Sequence, residues 1–419
     1  MGPSRVLYIT HSSPVPGKLG PSRRHYHILD QLCRFYDMHL LSLATQTQVR
    51  LFAREFGGRL GQDFAAPRLS RTTKVVRKIW RTAKLQCDFL PALEPNLRRL
   101  CAKVISSTPF DAVILSTPLL RDLPLPEGIP IISDTHNVEF DVLDRISQLA
   151  DSFAWRQYAR CQMRATFDAE GRAVRRVDLL LANSDRDCQI FKRSLHAEHV
   201  EIIPNGVDIN EFSPSRTFGE PATILFTGLM SYYPNQQAIR WFLDEVFPLI
   251  QRRVPEAKLV VAGARPPARL IARRSSSVEI TGTVRDMRPY FERARLVVAP
   301  LKIGGGTRVK ILEAQAMARP VVSTTLGAEG LNVRNGHSIL IADEPADFAD
   351  QVVYLLSDDE FAVRVGVQGR EHVVSHYDWS QIGDQLEKIL RSTVGLTSRY
   401  KVKSQACCDL AVGASHAAG

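Results

Sequence analysis

Short runs of apolar residues alternate with longer amphipathic stretches along most of this chain. The runs are rich in Val, Ile and Leu, which is typical of strands buried on both faces of a parallel sheet. The first series is RVLYIT, MHLLSLA, DAVILST, IPIISDTH, DLLLANS and HVEIIPNGVD; the second is TILFTG, KLVVAG, VEITG, LVVAPL, RPVVSTT and SILIAD. Helical patterns such as NQQAIRWFLDEVFPLIQRRV lie between them. The pattern predicts an α/β protein with two doubly wound, Rossmann-like domains of six strands each.

Turn-forming residues mark the boundary between the two series. PNGVD at 204–208 and SPSRTFGEP at 213–221 combine Pro, Gly, Asn, Asp and Ser, the residues that build turns and loops. We therefore predict a first domain over 1–214 and a second domain over 215–375. After about residue 393 the composition turns to Ser, Gly and Ala, which indicates a loose tail over 393–419.

Length, apolar runs and cysteines narrow the class of protein. The chain has 419 residues and a hydrophobic fraction of 44%, which suits two soluble domains. No apolar run approaches the roughly 20 residues that cross a bilayer, and the apolar start from Val6 to Ile9 is shorter than a signal peptide. The seven cysteines include no CxxC pair. We therefore expect a cytoplasmic protein with reduced thiols.

The net charge of +10 is partly concentrated in one segment. Residues 68–84 contain seven basic residues, no acid and Trp80, at close to helical spacing; the basic residues are Arg68, Arg71, Lys74, Arg77, Lys78, Arg81 and Lys84. Such a helix can lie on an anionic membrane surface, although it can equally be a solvated face. Nucleic-acid binding is disfavoured because stacking aromatic residues and reader motifs are lacking.

Three consecutive glycines stand directly after the strand LVVAPL, in IGGGTRVKILEAQA at 303–316. Gly304, Gly305 and Gly306 allow a ligand to approach the backbone closely. We expect Thr307 to cap a helix beginning near Arg308, whose first turn would form an anion site. Arg308 and Lys310 add full charges there. Glu313, one turn further, is placed to accept hydrogen bonds from ribose hydroxyls. The alternative is a tight turn with a Lys310–Glu313 ion pair.

Other candidate residues follow strands in the first domain. His136 ends the fourth strand in SDTHNVE, a position at the predicted cleft, since ligands bind at the carboxyl ends of parallel strands. The alternative is a structural histidine beside Asn137, which would cap the next helix. Gly20, Arg23 and Arg24 open the first long helix. The two arginines are placed either to meet an anionic acceptor or to form an exposed helix start.

The segment GGGTRVKILEAQAMARPVVSTTLGAEGL resembles the nucleotide-sugar motif of family 4 glycosyltransferases, which have the two-domain GT-B fold. SDTHNVE, VDLLLANSDRD, IPNGVD, FTGLMSYYPN (which contains Gly228) and HYDWSQI match the family in the same order, over about residues 5–390. The resemblance implies two domains facing across a cleft and a helix at 376–392 that returns to the first domain. It also implies that His136 contacts the transferred sugar near the reacting carbon.

The motif departs from the usual family pattern at several positions. Of the usual pair of glutamates only the second, Glu313, is present, and Gly305 occupies the first position. The arginine and lysine that usually follow the first strand of the second domain are missing from GLMSYYPNQQA, and PGKLGPSRR keeps Gly20 without a glycine pair. A branch of the family with the GGGTR form resembles this pattern. There Arg308 and Lys310 would neutralise the diphosphate alone.

The resemblance implies a retaining hexosyltransferase that takes a nucleotide diphosphate sugar as donor, needs no cofactor and binds no metal. We expect the acceptor to be a glycan or a lipid-linked glycan in polysaccharide biosynthesis, met at the membrane periphery through residues 68–84. Two alternatives stay open. One is a nucleotide-sugar 2-epimerase of the same fold. The other is a non-catalytic protein that binds sugar nucleotides or membrane surfaces.

Overall fold

The computed structural model describes residues 2–11, 14, 20–66, 94–214 and 219–396. The predicted basic helix at 68–84 lies outside the described residues. So do residues 215–218, which directly follow the predicted domain boundary, and residues 397–419, which make up most of the predicted tail. The described chain forms two parallel sheets with helices on their faces. The predicted fold class is therefore confirmed.

The first domain is built on a sheet of seven strands in the order β3-β2-β1-β4-β5-β6-β7. The prediction of six was wrong because it missed Asp63–Ala66, a short strand that pairs with β2 at the edge. The strands are β1 Arg5–Thr10, β2 Asp37–Leu43, β3 Asp63–Ala66, β4 Ala112–Leu115, β5 Ile131–Asp134, β6 Leu179–Ala182 and β7 Val200–Ile202. The helices are α1 Gly20–Leu32, α2 Gln46–Phe56, α3 Pro95–Ser107, α4 Glu139–Leu149, α5 Phe153–Val174 and α6 Asp185–Leu195, with a 3₁₀ turn at Pro118–Leu120.

The second domain has the six strands predicted, in the order β10-β9-β8-β11-β12-β13. They are β8 Thr223–Thr227, β9 Lys258–Ala262, β10 Val278–Gly282, β11 Leu296–Ala299, β12 Val321–Ser323 and β13 Leu340–Ile341. The helices are α7 Tyr233–Trp241, α8 Phe247–Arg253, α9 Ala268–Ile271, α10 Arg288–Arg293, α11 Val309–Ala316, α12 Pro345–Ser357 and α13 Asp359–His376. A π-helical turn at Phe242–Val246 joins α7 to α8.

The last described helix, α14 (Trp379–Val394), leaves the second domain and packs on the first. Its buried side chains Trp379, Ile382, Leu386 and Leu390 join the core formed around α1 and β1. The chain therefore returns to the first domain. The returning helix has different bounds from the predicted 376–392, because α13 ends at His376 and α14 continues two residues beyond 392.

The cores explain why these segments form strands. Side chains of β1 from Val6 onward and those of β4, β6, β8 and β11 are buried. Helices cover the sheets on both sides, which requires continuous apolar runs. In each sheet the order reverses beside the first strand of the domain. Such switch points leave a crevice at the carboxyl ends of the strands. Within the described residues, no helix is both long enough and apolar enough to cross a bilayer.

Candidate active site

The glycine loop, residues 304–306, follows β11 and lies between the two domains. Two of its members have positive φ, +135° at Gly304 and +67° at Gly306, a region that disfavours other residues. A Cβ added at Gly306 would lie 2.4 Å from Asn137 Oδ1 and 2.6 Å from the carbonyl oxygen of His136, and one at Gly305 would lie 2.6 Å from Val142 Cγ2. The glycines therefore allow the first domain to approach this loop closely.

An arginine of the first domain also holds the glycine loop. Arg145, on α4, donates to the carbonyl oxygen of Gly304 at 2.9 Å and pairs with Glu329 of the second domain at 2.7 and 3.0 Å. Arg186, on α6, reaches the same carboxylate at 3.3 Å. Sequence reasoning missed these contacts of Arg145 and Arg186 with Glu329, because the three residues come from separate parts of the chain and follow no local motif.

The helix after the loop, α11, begins one residue later than predicted. Arg308 occupies the N-cap position and no side chain caps the helix there, so the prediction that Thr307 is the N-cap was wrong. The Thr307 hydroxyl is buried and has no hydrogen-bond partner within the described residues. Of the stripe expected to be buried, Leu312 and Ala316 are buried but Val309 is half-buried; Glu313 and Gln315 are buried as well.

Arg308 folds back onto the glycine loop. Its guanidinium donates to the carbonyl oxygens of Gly305 and Gly306, and only 8% of the residue is exposed. Burial lowers the pKa of the guanidinium from its usual value, but an arginine stays protonated in proteins. Arg308 therefore brings a fixed positive charge to the loop and shapes its backbone at the same time.

Lys310 is the second cation of the site. Its Nζ donates to Asn235 Oδ1 at 3.0 Å and lies 4.3 Å from the centre of the Phe226 ring. Gly228, which follows β8 with φ +155°, leaves room for this amine, since a Cβ there would lie 3.2 Å from Nζ. Burial, with a smaller effect from neighbouring Arg308, lowers the pKa of Lys310 to about 7. The Lys310 charge is therefore sensitive to a nearby anion.

Glu313 pairs with Arg23, a residue of α1 in the other domain. It does not pair with Lys310, so the alternative of a Lys310–Glu313 turn bridge was wrong. Arg23 also lies 5.1 Å from the centre of the Phe212 ring and 3.8 Å from the Glu211 carboxylate. Burial raises the pKa of Glu313, and the Arg23 charge opposes this effect. The structure thus places two predicted substrate-binding residues in contact across the domain interface; Gly20 is the first residue of the same helix α1.

His136 lies just beyond β5 beside a second histidine. The two Nε2 atoms of His136 and His25 are 3.1 Å apart, and His25 Nδ1 lies 2.9 Å from the Tyr8 hydroxyl. Burial lowers the pKa of both histidines well below the usual value, and the neighbouring His11 and Arg24 lower both pKa values further; His136 also lowers the pKa of His25. Both rings are therefore neutral near pH 7, and one of the two Nε2 atoms donates a hydrogen bond to the other. The alternative cap at Asn137 was wrong, because Val138 is the N-cap of α4.

Arg24 is buried inside the first domain, so the alternative of an exposed helix start was wrong for this residue, and its guanidinium is occupied by first-domain partners. It forms an ion pair with Asp134 at 2.6 Å and donates to Asn183, Ile203, Pro204 and Asn205. Asp134, His25 and His136 also place possible metal-ligand atoms within 4.8 Å of one another. The Arg24 guanidinium on Asp134 disfavours a further cation there. That no metal is needed stays a prediction.

Family models match both domains. Residues 40–211 match the model described as Glycosyltransferase Family 4, and residues 221–358 match the model described as Glycosyl transferases group 1. The two matches are separated by residues 212–220, between the two sheets, and the second includes the whole of the glycine loop and α11. The chain belongs to the GT-B glycosyltransferases.

Individual relatives of this glycosyltransferase are distant. A GDP-mannose-dependent monoacylated alpha-(1-6)-phosphatidylinositol monomannoside mannosyltransferase of Corynebacterium glutamicum is 26% identical over 238 residues, which is 52% of this chain and 62% of the relative. The chain thus matches about six tenths of that relative's length. Sucrose-phosphate synthase from Thermosynechococcus elongatus has a TM-score of 0.69 at 15% identity, covering 93% of this chain and 98% of its own. HepE of Anabaena, solved with UDP-glucose, has a TM-score of 0.66 at 15% identity, covering 93% and 100%.

Proposed function

We propose that this glycosyltransferase moves a sugar, with retention of its anomeric configuration, from a nucleotide diphosphate sugar to a glycan or lipid-linked acceptor in polysaccharide biosynthesis. The observation that best supports the proposal is the meeting of the glycine loop and α11 of one domain with the His136 loop of the other. A donor bound there would have its diphosphate on the second domain and its sugar against the first.

Each charged residue of the site has a part in the proposed reaction. As the bond from the sugar carbon to the diphosphate breaks, negative charge grows on the leaving phosphate. Lys310 and Arg308 lie beside the loop and stabilise that charge where it develops. Glu313 accepts hydrogen bonds from ribose hydroxyls, and His136, neutral in its buried setting, contacts the sugar. Thr307 offers a further hydroxyl beside the phosphates.

The proposed reaction is balanced without a separate protein base. The acceptor oxygen attacks the sugar carbon on the face from which the diphosphate leaves, so the configuration is retained. The acceptor proton passes to the departing phosphate oxygen. The products are a glycosylated acceptor and a free nucleoside diphosphate.

The chemical class of donor and acceptor is supported by what the relatives are named for. HepE is solved with UDP-glucose, and the Corynebacterium relative is named for GDP-mannose and an acylated phosphatidylinositol mannoside. A nucleotide diphosphate sugar is common to both, whereas base and sugar differ. The second name includes a lipid-carried acceptor, which agrees with a cytoplasmic enzyme working at the membrane periphery.

Product analysis tests the proposal and separates it from its alternatives. The protein is incubated with a panel of UDP- and GDP-sugars, with and without lipid-linked glycan acceptors. A transferase produces equal amounts of free nucleoside diphosphate and glycosylated acceptor, only when acceptor is present. An epimerase changes the sugar of the nucleotide sugar with no net release of diphosphate. A binding protein does neither, and either of these results would overturn the proposal.

A further inference from the structure

Helices α4 and α5 form a hairpin beside the active site. The hairpin's inner face buries Val142, Leu143, Ile146 and Ala159 together with Tyr233 and Ile303 of the second domain. Ile303 directly precedes the glycine loop, and Glu170 on α5 accepts the backbone N–H groups of Glu139 and Phe140 at the start of α4. The position of the hairpin relative to the cleft is therefore fixed by packing on one side.

The outer face of α5 is exposed and unusual in composition. Phe153, Arg160, Arg164 and Phe167 are spaced by seven, four and three residues, so at 3.6 residues per turn they lie along one stripe of the helix. All four are exposed, Phe153 by 68%. The exposed acid along this face is Asp168, since Glu170 is buried. The stripe therefore combines aromatic rings with a net positive charge.

The tip of the hairpin adds two further exposed apolar residues. Leu149, at the end of α4, is 51% exposed, and Trp155, in the first turn of α5, is 41% exposed. The Trp155 ring lies 5.1 Å from the ring of Tyr233 of the second domain, on the opposite side of α5 from Phe153. Leu149 and Phe153 are therefore the large apolar side chains that the tip leaves exposed beside the stripe. Clustered exposed apolar groups of this kind mark interaction surfaces in soluble proteins.

The combination of these features identifies the chemistry of a partner. Two phenylalanines and two arginines along one exposed face, with Leu149 beside its end, are typical of helices that lie in the interface of an anionic bilayer. Each exposed arginine gains from a negative surface potential, and the rings enter the headgroup region. We propose that the outer face of α5 and the hairpin tip form a docking surface for a bilayer containing anionic lipids.

The docking surface does not include residues 68–84, which lie outside the described residues. Because α4 begins next to His136 and packs beside Ile303, a bilayer bound to α5 would lie next to the cleft. A lipid-linked acceptor could then reach the active site from the membrane. That last step rests on the proposed function, whereas binding to lipid does not.

Vesicle binding by the full-length protein tests the surface directly. Co-sedimentation with vesicles of phosphatidylcholine containing phosphatidylglycerol is compared with vesicles of phosphatidylcholine alone, over a salt series. Wild-type protein should bind the anionic vesicles, and more weakly as salt rises. The double variant Arg160→Glu/Arg164→Glu should bind at least about 25-fold more weakly at low salt, at roughly fivefold for each positive charge removed. The matched control Arg252→Glu/Arg364→Glu, with the same charge change at exposed positions of the second domain, should bind more than the α5 variant does.

A second readout locates the contact on the molecule. Phe153→Trp places an indole at the exposed end of the stripe, so brominated lipid in anionic vesicles should quench a larger fraction of the tryptophan fluorescence in this variant than in the wild-type protein. Equal binding by the α5 variant and the control would overturn the proposal, as would equal fractional quenching of Phe153→Trp and the wild-type protein. Weak binding by both charge variants alike would assign the effect to net charge and reject this surface. Because no transfer is measured, a failure of the proposed function would leave these results unaffected.

Discussion

Arg23 of the first domain forms an ion pair with Glu313 of the second, at the position where we place the ribose of the donor. The two residues are 290 positions apart in the chain. In the free protein, Arg23 thus neutralises the charge of the buried Glu313 carboxylate. A bound nucleotide would donate its ribose hydroxyl hydrogen bonds to the same carboxylate. The pair joins the donor side of the cleft to the helix that opens the acceptor side.

Glu313→Gln should weaken nucleotide binding by roughly tenfold to a hundredfold, because hydrogen bonds to a charged group contribute about 1.5–3 kcal/mol. Glu313→Ala should weaken it further, and isothermal titration calorimetry measures both. If Glu313 serves only the ion pair with Arg23, the variants would unfold at lower temperature while nucleotide affinity stayed at the wild-type value.

The Arg23 side of the pair makes a separate prediction. Arg23→Gln leaves the buried Glu313 carboxylate without its main partner, so the free energy of unfolding should fall by about 1–3 kcal/mol. Arg34→Gln is the matched control, because Arg34 pairs with Asp384 at the surface at 3.0 Å and should cost less than about 1 kcal/mol. Equal effects of the two substitutions on denaturant unfolding would contradict a buried pair.

Lys310→Ala should lower turnover at least about a hundredfold without unfolding the protein, by analogy with the loss of a group that stabilises transition-state charge. Lys302→Ala is the control: this lysine precedes the same loop but lies over the Trp241 ring, 4.1 Å from its centre. Steady-state release of nucleoside diphosphate measures both variants. Near-normal turnover in Lys310→Ala would remove the phosphate role from this residue.

The depressed pKa of Lys310, about 7, makes donor binding depend on pH. A bound diphosphate raises that pKa, so at pH 8 binding should take up close to one proton, whereas at pH 6 the amine is already charged and uptake should vanish. Affinity should accordingly fall as pH rises above about 7. Calorimetry in buffers of different ionisation enthalpy measures the uptake. Lys310→Arg keeps the charge fixed; undiminished proton uptake in that variant would assign the proton to another group.

The glycine loop offers a test with an internal control. Gly306 and Gly336 have similar backbone angles, with φ of +67° and +75°, but only Gly306 has first-domain atoms where a Cβ would lie; at Gly336 nothing lies within 4 Å. Both substitutions to Ala incur the backbone cost of about 1–2 kcal/mol. Gly306→Ala should lower the unfolding temperature more than Gly336→Ala does, and it should also reduce nucleotide affinity. Equal costs would mean that the domains do not meet at this loop in solution.

Much of the fold could be predicted because the buried strands are continuous Val, Ile and Leu runs, and parallel sheets require such runs. Asp63–Ala66 was missed because DFAA is short, has no β-branched residue and lies at a sheet edge. The start of α11 differed by one residue because Thr307 and Arg308 follow three glycines, where local preferences fix a helix start only approximately.

The sequence predicted which residues belong to the candidate site, but it did not predict which residues they contact. The position of Gly304–Gly306, Lys310 and Glu313 after a buried strand could be derived from the sequence, whereas their partners could not. Asn235, Arg145 and His25 meet the site only through tertiary packing. Arg23 and Arg24 are adjacent and alike in sequence, yet helix geometry directs one to the interface and the other into the core.

A thermal-shift screen of nucleoside diphosphates and their sugars tests most directly whether this site binds a sugar donor. At about 100 times its dissociation constant, a true ligand should stabilise the wild-type protein by about 2.7 kcal/mol. The same ligand should stabilise Lys310→Ala and Glu313→Ala much less, and Lys302→Ala as much as wild type. If no nucleoside diphosphate or nucleotide sugar raises the unfolding temperature, or if all three variants respond as wild type does, the donor site proposed for this cleft is contradicted.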